Sequence, residues 1–165
     1  MGKAKAEKTH KLISERSNGG PIAEAEESAR IGKITDALAF CESFLEMSRV
    51  SLKKTPAEFD LCAWRAAAEL EYALFLFSLK YTDQDVTSGW KTESHNRSDS
   101  PAKLLKTVQT SVAKSKESVF SGNWLKAYEH AFTARQLLLR IQREYARKKH
   151  AGLLKRSGYY SSSST

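Results

Sequence analysis

Thr55–Lys80, TPAEFDLCAWRAAAELEYALFLFSLK, decides the fold of this chain. It opens on a helix start signal: Thr55 as N-cap, Pro56 at the first helical position and Glu58 at the third, a capping box. Phe59, Ala63, Ala66, Leu70, Ala73 and Phe77 then recur at helical spacing and form one apolar stripe. Around Ala73–Leu79 apolar residues cover nearly the whole circumference, so this helix is expected in the middle of a bundle. Arg65 and Glu69, four residues apart, are placed to pair on its surface.

Working outward, the residues before it are helical too. Ile34, Leu38, Cys41, Leu45 and Leu52 lie on one stripe, which gives a helix over 33–53. Lys53 and Lys54 suit its C-terminus, where the last carbonyls carry partial negative charge. Pro21 can open a helix, and Gly32 is expected to separate a short entry helix from the main one. Residues 1–20 are polar, basic and without apolar periodicity, and read as a flexible basic arm.

After Lys80 the composition changes. Residues 82–100, TDQDVTSGWKTESHNRSDS, hold no stripe and form a long crossover. Such a crossover lets the helices it joins be other than antiparallel neighbours. Trp90 is its one large apolar anchor and is expected to dock it. Ser100-Pro101 starts a third helix, 101–120, with Leu105, Val108, Val112, Ser115 and Val119 as a narrow seam. Ser121-Gly122-Asn123 is a tight break with Asn123 as the next N-cap. A fourth helix follows over 124–149, with Trp124, Ala127 or Tyr128, Ala131, Leu138, Ile141 and Tyr145 as its seam. Residues 151–165 end in serines and read as a flexible Ser-rich tail.

No stretch alternates as a strand would. The expected fold is all-α: a single bundle of four to five helices over 21–150, with the first and second helices, and the third and fourth, as antiparallel hairpins.

Charge is uneven. The chain carries 27 Lys and Arg against 19 Asp and Glu, a formal +8. Residues 140–165 hold seven of those bases against one acid, while 55–85 hold two against six. The longest dense apolar run, Tyr72–Leu79, is too short to cross a membrane, and the polar basic start lacks the apolar core of a secretory signal. A cytoplasmic protein with no membrane association is therefore expected. Cys41 and Cys62 each sit inside an apolar helical pattern and read as buried structural thiols.

Several chemistries find no support. There is no phosphate-cradling Gly-rich loop, no nucleophile elbow and no Glu-x-x-His pattern for a di-metal bundle. His10, His95, His130 and His150 lie near no cysteine at ligand spacing. No metal and no cofactor is expected. His130, among Tyr128, Ala131 and Phe132, reads as a core or boundary residue.

The basic C-terminal segment is the best-defined candidate site. Arg140, Arg143, Arg147, Lys148, Lys149, Lys155 and Arg156 fall close together, and Arg140, Arg143 and Arg147 line one helical face. Cations held at helical pitch can displace counterions from a polyanion, so the expected partner is an RNA or DNA backbone, bound with little sequence specificity. Tyr145, Tyr159 and Tyr160 are candidates for base stacking, with Tyr145 also fitting the core seam. The bland reading is a solvated helix end complementing its own dipole.

Arg143-Glu-Tyr-Ala-Arg-Lys-Lys-His150, with the four-helix layout and the look of Trp64–Leu74 and Gly122–Ala131, resembles the HEPN group of small helical domains. Many members are metal-independent ribonucleases or toxin–antitoxin components that use an Arg followed a few residues later by a His. The resemblance implies His150 as proton carrier at a scissile phosphate and Arg143 as stabiliser of the developing charge. Read without it, His150 is an exposed histidine in a basic run. The small-residue ladder Ala127, Ala131, Ala134 after Gly122-Asn-Trp is similar to tetratricopeptide hairpins, and reflects the close approach any tight helical hairpin needs. A third reading is a helical interaction subunit, pairing with its own copy or another helical protein through the narrow stripes of the third and fourth helices.

Overall fold

A computed structural model gives the coordinates, and describes residues 21–81, 86–87, 89–90 and 99–159, with side chains as far as Gly152 and without those of Pro21 and Ala23. The expected arm over 1–20 and the end of the tail over 160–165 lie outside the described residues. Four helices are present among the described residues: α1 (Pro21–Ser51), α2 (Pro56–Ser78), α3 (Pro101–Phe120) and α4 (Trp124–Tyr159). No strand occurs among the described residues. The protein is an all-α helical bundle.

The chain divides into two compact units, Met1–Gly32 and Lys33–Thr165. In the first, the described residues are the opening turns of α1, with positions 22 and 24–29 exposed. The expected break at Gly32 does not occur: α1 is helical on both sides of it. A glycine inside a helix costs about 1 kcal/mol and need not end it. The bundle unit starts at Lys33, not at residue 21.

Within the second unit most of each predicted stripe forms the core, while Leu52, Trp124 and Tyr145 are half-buried at its edge and Leu52 lies beyond the end of α1. Ile34, Leu38, Cys41 and Leu45 of α1 are buried, as are Phe59, Ala63, Ala66, Leu70, Ala73 and Phe77 of α2. Leu105, Val108, Val112, Ser115 and Val119 of α3 join them, with Ala127, Ala131, Leu138 and Ile141 of α4.

The contacts fix the topology. Phe59 packs on Tyr145 and Phe77 on Tyr128, so α2 runs antiparallel to α4. Lys116 pairs with Glu42 and Gln109 donates to Glu46, so α3 runs antiparallel to α1. The four residues Leu52–Thr55 join α1 to α2, and Ser121-Gly122-Asn123 joins α3 to α4. Each helix thus lies between two antiparallel neighbours in the order α1, α2, α4, α3. The crossover from α2 to α3 spans a diagonal and leaves those two helices parallel, as a long connection permits. Trp90 docks it, meeting Tyr128 edge-on at 4.8 Å and Phe132 at 5.4 Å between ring centres.

Three local expectations fail. The Thr55 side chain makes no capping bond; Pro56 supplies a helical φ at N1, and Glu58 accepts from Ser51 Oγ at 3.4 Å instead of reaching back. Arg65 does not pair with Glu69 but lies over the Phe44 ring, 5.6 Å from its centre. α2 is not surrounded: its face opposite the core is exposed, with Trp64 at 64% and Phe75 at 57%. A four-helix square has no central position, so every helix keeps one face outside. At the other end of the bundle, α4 continues through Gly152 to Tyr159, so residues 151–159 are helix rather than flexible tail.

Candidate polyanion-binding groove

The α3–α4 hairpin builds the site. Gly122, at φ +73°, turns the chain through the left-handed region that glycine enters without penalty. Asn123 Oδ1 then accepts the Lys126 N–H and starts α4. Two helices of equal rise leaving one turn bring the beginning of α3 level with the second half of α4. Asp99, Ser100 and Pro101 accordingly face Arg140, Arg143, Glu144, Arg147 and Lys148 across an open groove.

One wall is the N-terminus of α3. Ser100 Oγ accepts the Lys103 N–H, Pro101 has no N–H, and the helix presents its partial positive charge to the groove. The other wall is a basic face of α4, repeating every three to four residues. Four cations against two carboxylates leave the lining with two net positive charges.

Those carboxylates are themselves engaged. Arg140 Nε donates to Glu144 Oε1 at 2.9 Å, and both side chains are largely buried. Lys103 Nζ lies 2.7 Å from Asp99, whose side chain is 11% exposed. Arg143, Arg147 and Lys148 remain exposed. Arg147 Nε donates to the Arg143 carbonyl at 3.4 Å, which lays its stem along the helix.

The sequence candidates thus part company. Arg140, Arg143, Arg147 and Lys148 share the groove, with Arg140 as an anchor of Glu144 rather than a free-standing cation. Lys149 turns to the other side of α4, where Nζ meets Asp60 of α2 at 3.1 Å. Lys155 and Arg156 belong to α4, with side chains outside the described set. His150 is exposed and does not line the groove, whereas Arg143 does. Seven residues of continuous helix set their backbones about 10 Å apart. The structure does not gather the two into one pocket. Tyr145 packs against Phe59 with ring centres 4.5 Å apart and is committed to the bundle rather than to stacking. The side chains of Tyr159 and Tyr160 lie outside the described residues.

Sequence reasoning missed the opposite wall. Asp99, Ser100 and Pro101 carry no motif, but the hairpin register alone would have placed residue 101 across from residue 143.

Other titratable groups lie away from the groove. Burial holds the His130 imidazole below its ordinary range, Lys114 and Lys126 push the same way, and Glu129 opposes them. Burial drives the Cys41 thiol far up, helped by the charges of Glu42 and Glu69. Cys62 is half-buried rather than buried, and lines a shallow groove with Met47 and Val50. Among the described residues no three His, Cys, Asp or Glu side chains cluster to hold a metal ion. No helix among them is long and apolar enough to cross a membrane.

No family model, curated protein or solved structure matches this chain.

Proposed function

We propose that this protein binds the phosphate backbone of nucleic acid in the groove between the start of α3 and the second half of α4. The observation that carries the reading is the convergence of exposed Arg143, Arg147 and Lys148, with Arg140 behind them, on the N-terminus of a second helix. Phosphate oxygens suit both walls: guanidinium and ammonium donors on one side, a helix dipole on the other. Among the described residues the groove is lined by no aromatic side chain, so base stacking has no platform there and the reading is of backbone recognition tolerant of sequence. The reading concerns a binding module located in the cytoplasm, with no bond made or broken.

The test is fluorescence anisotropy with labelled single-stranded and duplex oligonucleotides, RNA and DNA. The triple variant Arg143→Gln, Arg147→Gln, Lys148→Gln should bind all sequences at least about tenfold more weakly while keeping its helical circular dichroism. Equal affinity of the folded triple variant would reject the groove as the site. Comparison of the RNA and DNA arms gives the preferred polymer.

A further inference from the structure

The outward face of α2 carries a second apolar stripe, opposite the one that builds the core. Leu61, Trp64, Ala68, Tyr72, Phe75 and Leu79 step by 3, 4, 4, 3 and 4 and are all exposed. Phe40, Met47 and Val50 of α1 are exposed as well, and Met47 and Val50 border α2 across the groove that Cys62 lines. A solvated helix surface does not need this periodicity; a helix packed on both sides does.

We infer that this face is the interface of a two-fold dimer, in which α2 packs antiparallel on α2 of a second copy of the chain. Two observations select that occupant. The first is order along the stripe: a two-fold axis beside Leu70 sets Leu61 opposite Leu79, Trp64 opposite Phe75 and Ala68 opposite Tyr72, each within one residue. A two-fold interface must be self-complementary in this way, and the small Ala68 makes room for a large ring. The second is area. The exposed parts of these side chains and of their α1 neighbours amount to on the order of 800 Å², about one partner's share of a standard interface.

Charge agrees. The carboxylates along one margin, Asp60 and Glu71, are held from behind by Lys149 and Arg135 of the same chain. On the other margin Arg65 covers the Phe44 ring, exposed Glu58 accepts from Ser51 Oγ, and Glu69 is half-buried. The face therefore asks for an apolar partner, not a cationic one. Because the basic groove adjoins the N-terminal end of α2, antiparallel pairing carries the two grooves to opposite ends of the dimer.

Sedimentation equilibrium of the full chain across the micromolar range tests the inference, with Trp64 fluorescence as a second readout. The wild type should reach twice the chain mass, and its emission should shift to the blue with concentration. Trp64→Phe should remove the blue shift. Trp64→Glu and Phe75→Glu, at exposed positions, should keep their helical circular dichroism and raise the dimer dissociation constant about 100-fold. The triple charge variant of the groove should dimerise as the wild type does, which separates this result from the fate of the nucleic-acid reading. A chain that stays monomeric, or a dimer indifferent to both Glu variants, overturns it.

Discussion

The two cysteines differ because one points into the core and one lies at its edge. Cys41 is fully buried and its thiol is pushed far above the ordinary range, whereas Cys62 is half-buried beside a surface groove. At chain concentrations low enough to keep it monomeric, a thiol-reactive dye at mildly alkaline pH should label one cysteine promptly, Cys62 by peptide mapping, and Cys41 only as denaturant unfolds the chain. Their apolar surroundings were legible in the sequence. The difference was not, because helical spacing puts Cys62 near the α1 boundary and does not say how closely α1 covers it. For His130 the sign is set by burial. Its folded pKa lies below the unfolded value of about 6.5, so the unfolded chain takes up the proton first. Its stabilising contribution is complete above that unfolded value and is lost as pH falls through the folded pKa. The urea midpoint should drop between neutral and mildly acidic pH, and His130→Gln should shrink the part of that drop that histidine causes. Ser115 was read as a seam position, and it is fully buried. Its hydroxyl donates to the Ala127 carbonyl at 2.8 Å, tying α3 to α4. Ser115→Ala should cost about 1 kcal/mol in urea unfolding.

Helix ends and helix faces were not equally legible. α3 and the start of α4 stand where Ser100-Pro101 and Ser121-Gly122-Asn123 put them, since proline and a left-handed glycine restrict the backbone whatever the tertiary context. The end of α4 was misplaced because Gly152 weakens a helix without stopping it. The Thr55 box failed for a related reason: side-chain capping bonds are worth about 1 kcal/mol, and a neighbouring Ser51 can take the glutamate. At Gly122 a Cβ would meet nothing within 4 Å, so the cost of Gly122→Ala is backbone strain alone. It should destabilise the chain by about 1–2 kcal/mol in chemical denaturation without changing the helix content of the folded state. α2 gives the opposite lesson. Its circumferential apolarity was visible, but it was attributed to a central position. The same residues divide into a buried stripe and an exposed one, a division that becomes clear only once the bundle shows which face is covered.

At the scale of the molecule, the α3–α4 hairpin builds the groove. The tight turn at Gly122 folds α3 back along α4, so the N-terminus of α3 lies beside the second half of α4. The basic face of α4 was legible from its charge and spacing; its second wall followed from the register of the expected hairpin and went unread because Asp99, Ser100 and Pro101 show no binding pattern of their own. The resemblance that joined Arg143 with His150 foresaw a pair, and the groove takes only the arginine. The most direct measurement is the salt dependence of oligonucleotide affinity. Each phosphate contact contributes about 0.7–0.9 to the slope of log K against log salt. A groove that holds phosphates with Arg143, Arg147 and Lys148 requires a steep negative slope in the wild type. It also requires a loss of about 2–3 from that slope in the folded triple glutamine variant. A wild-type slope near zero, or a slope the three substitutions leave unchanged, would contradict it.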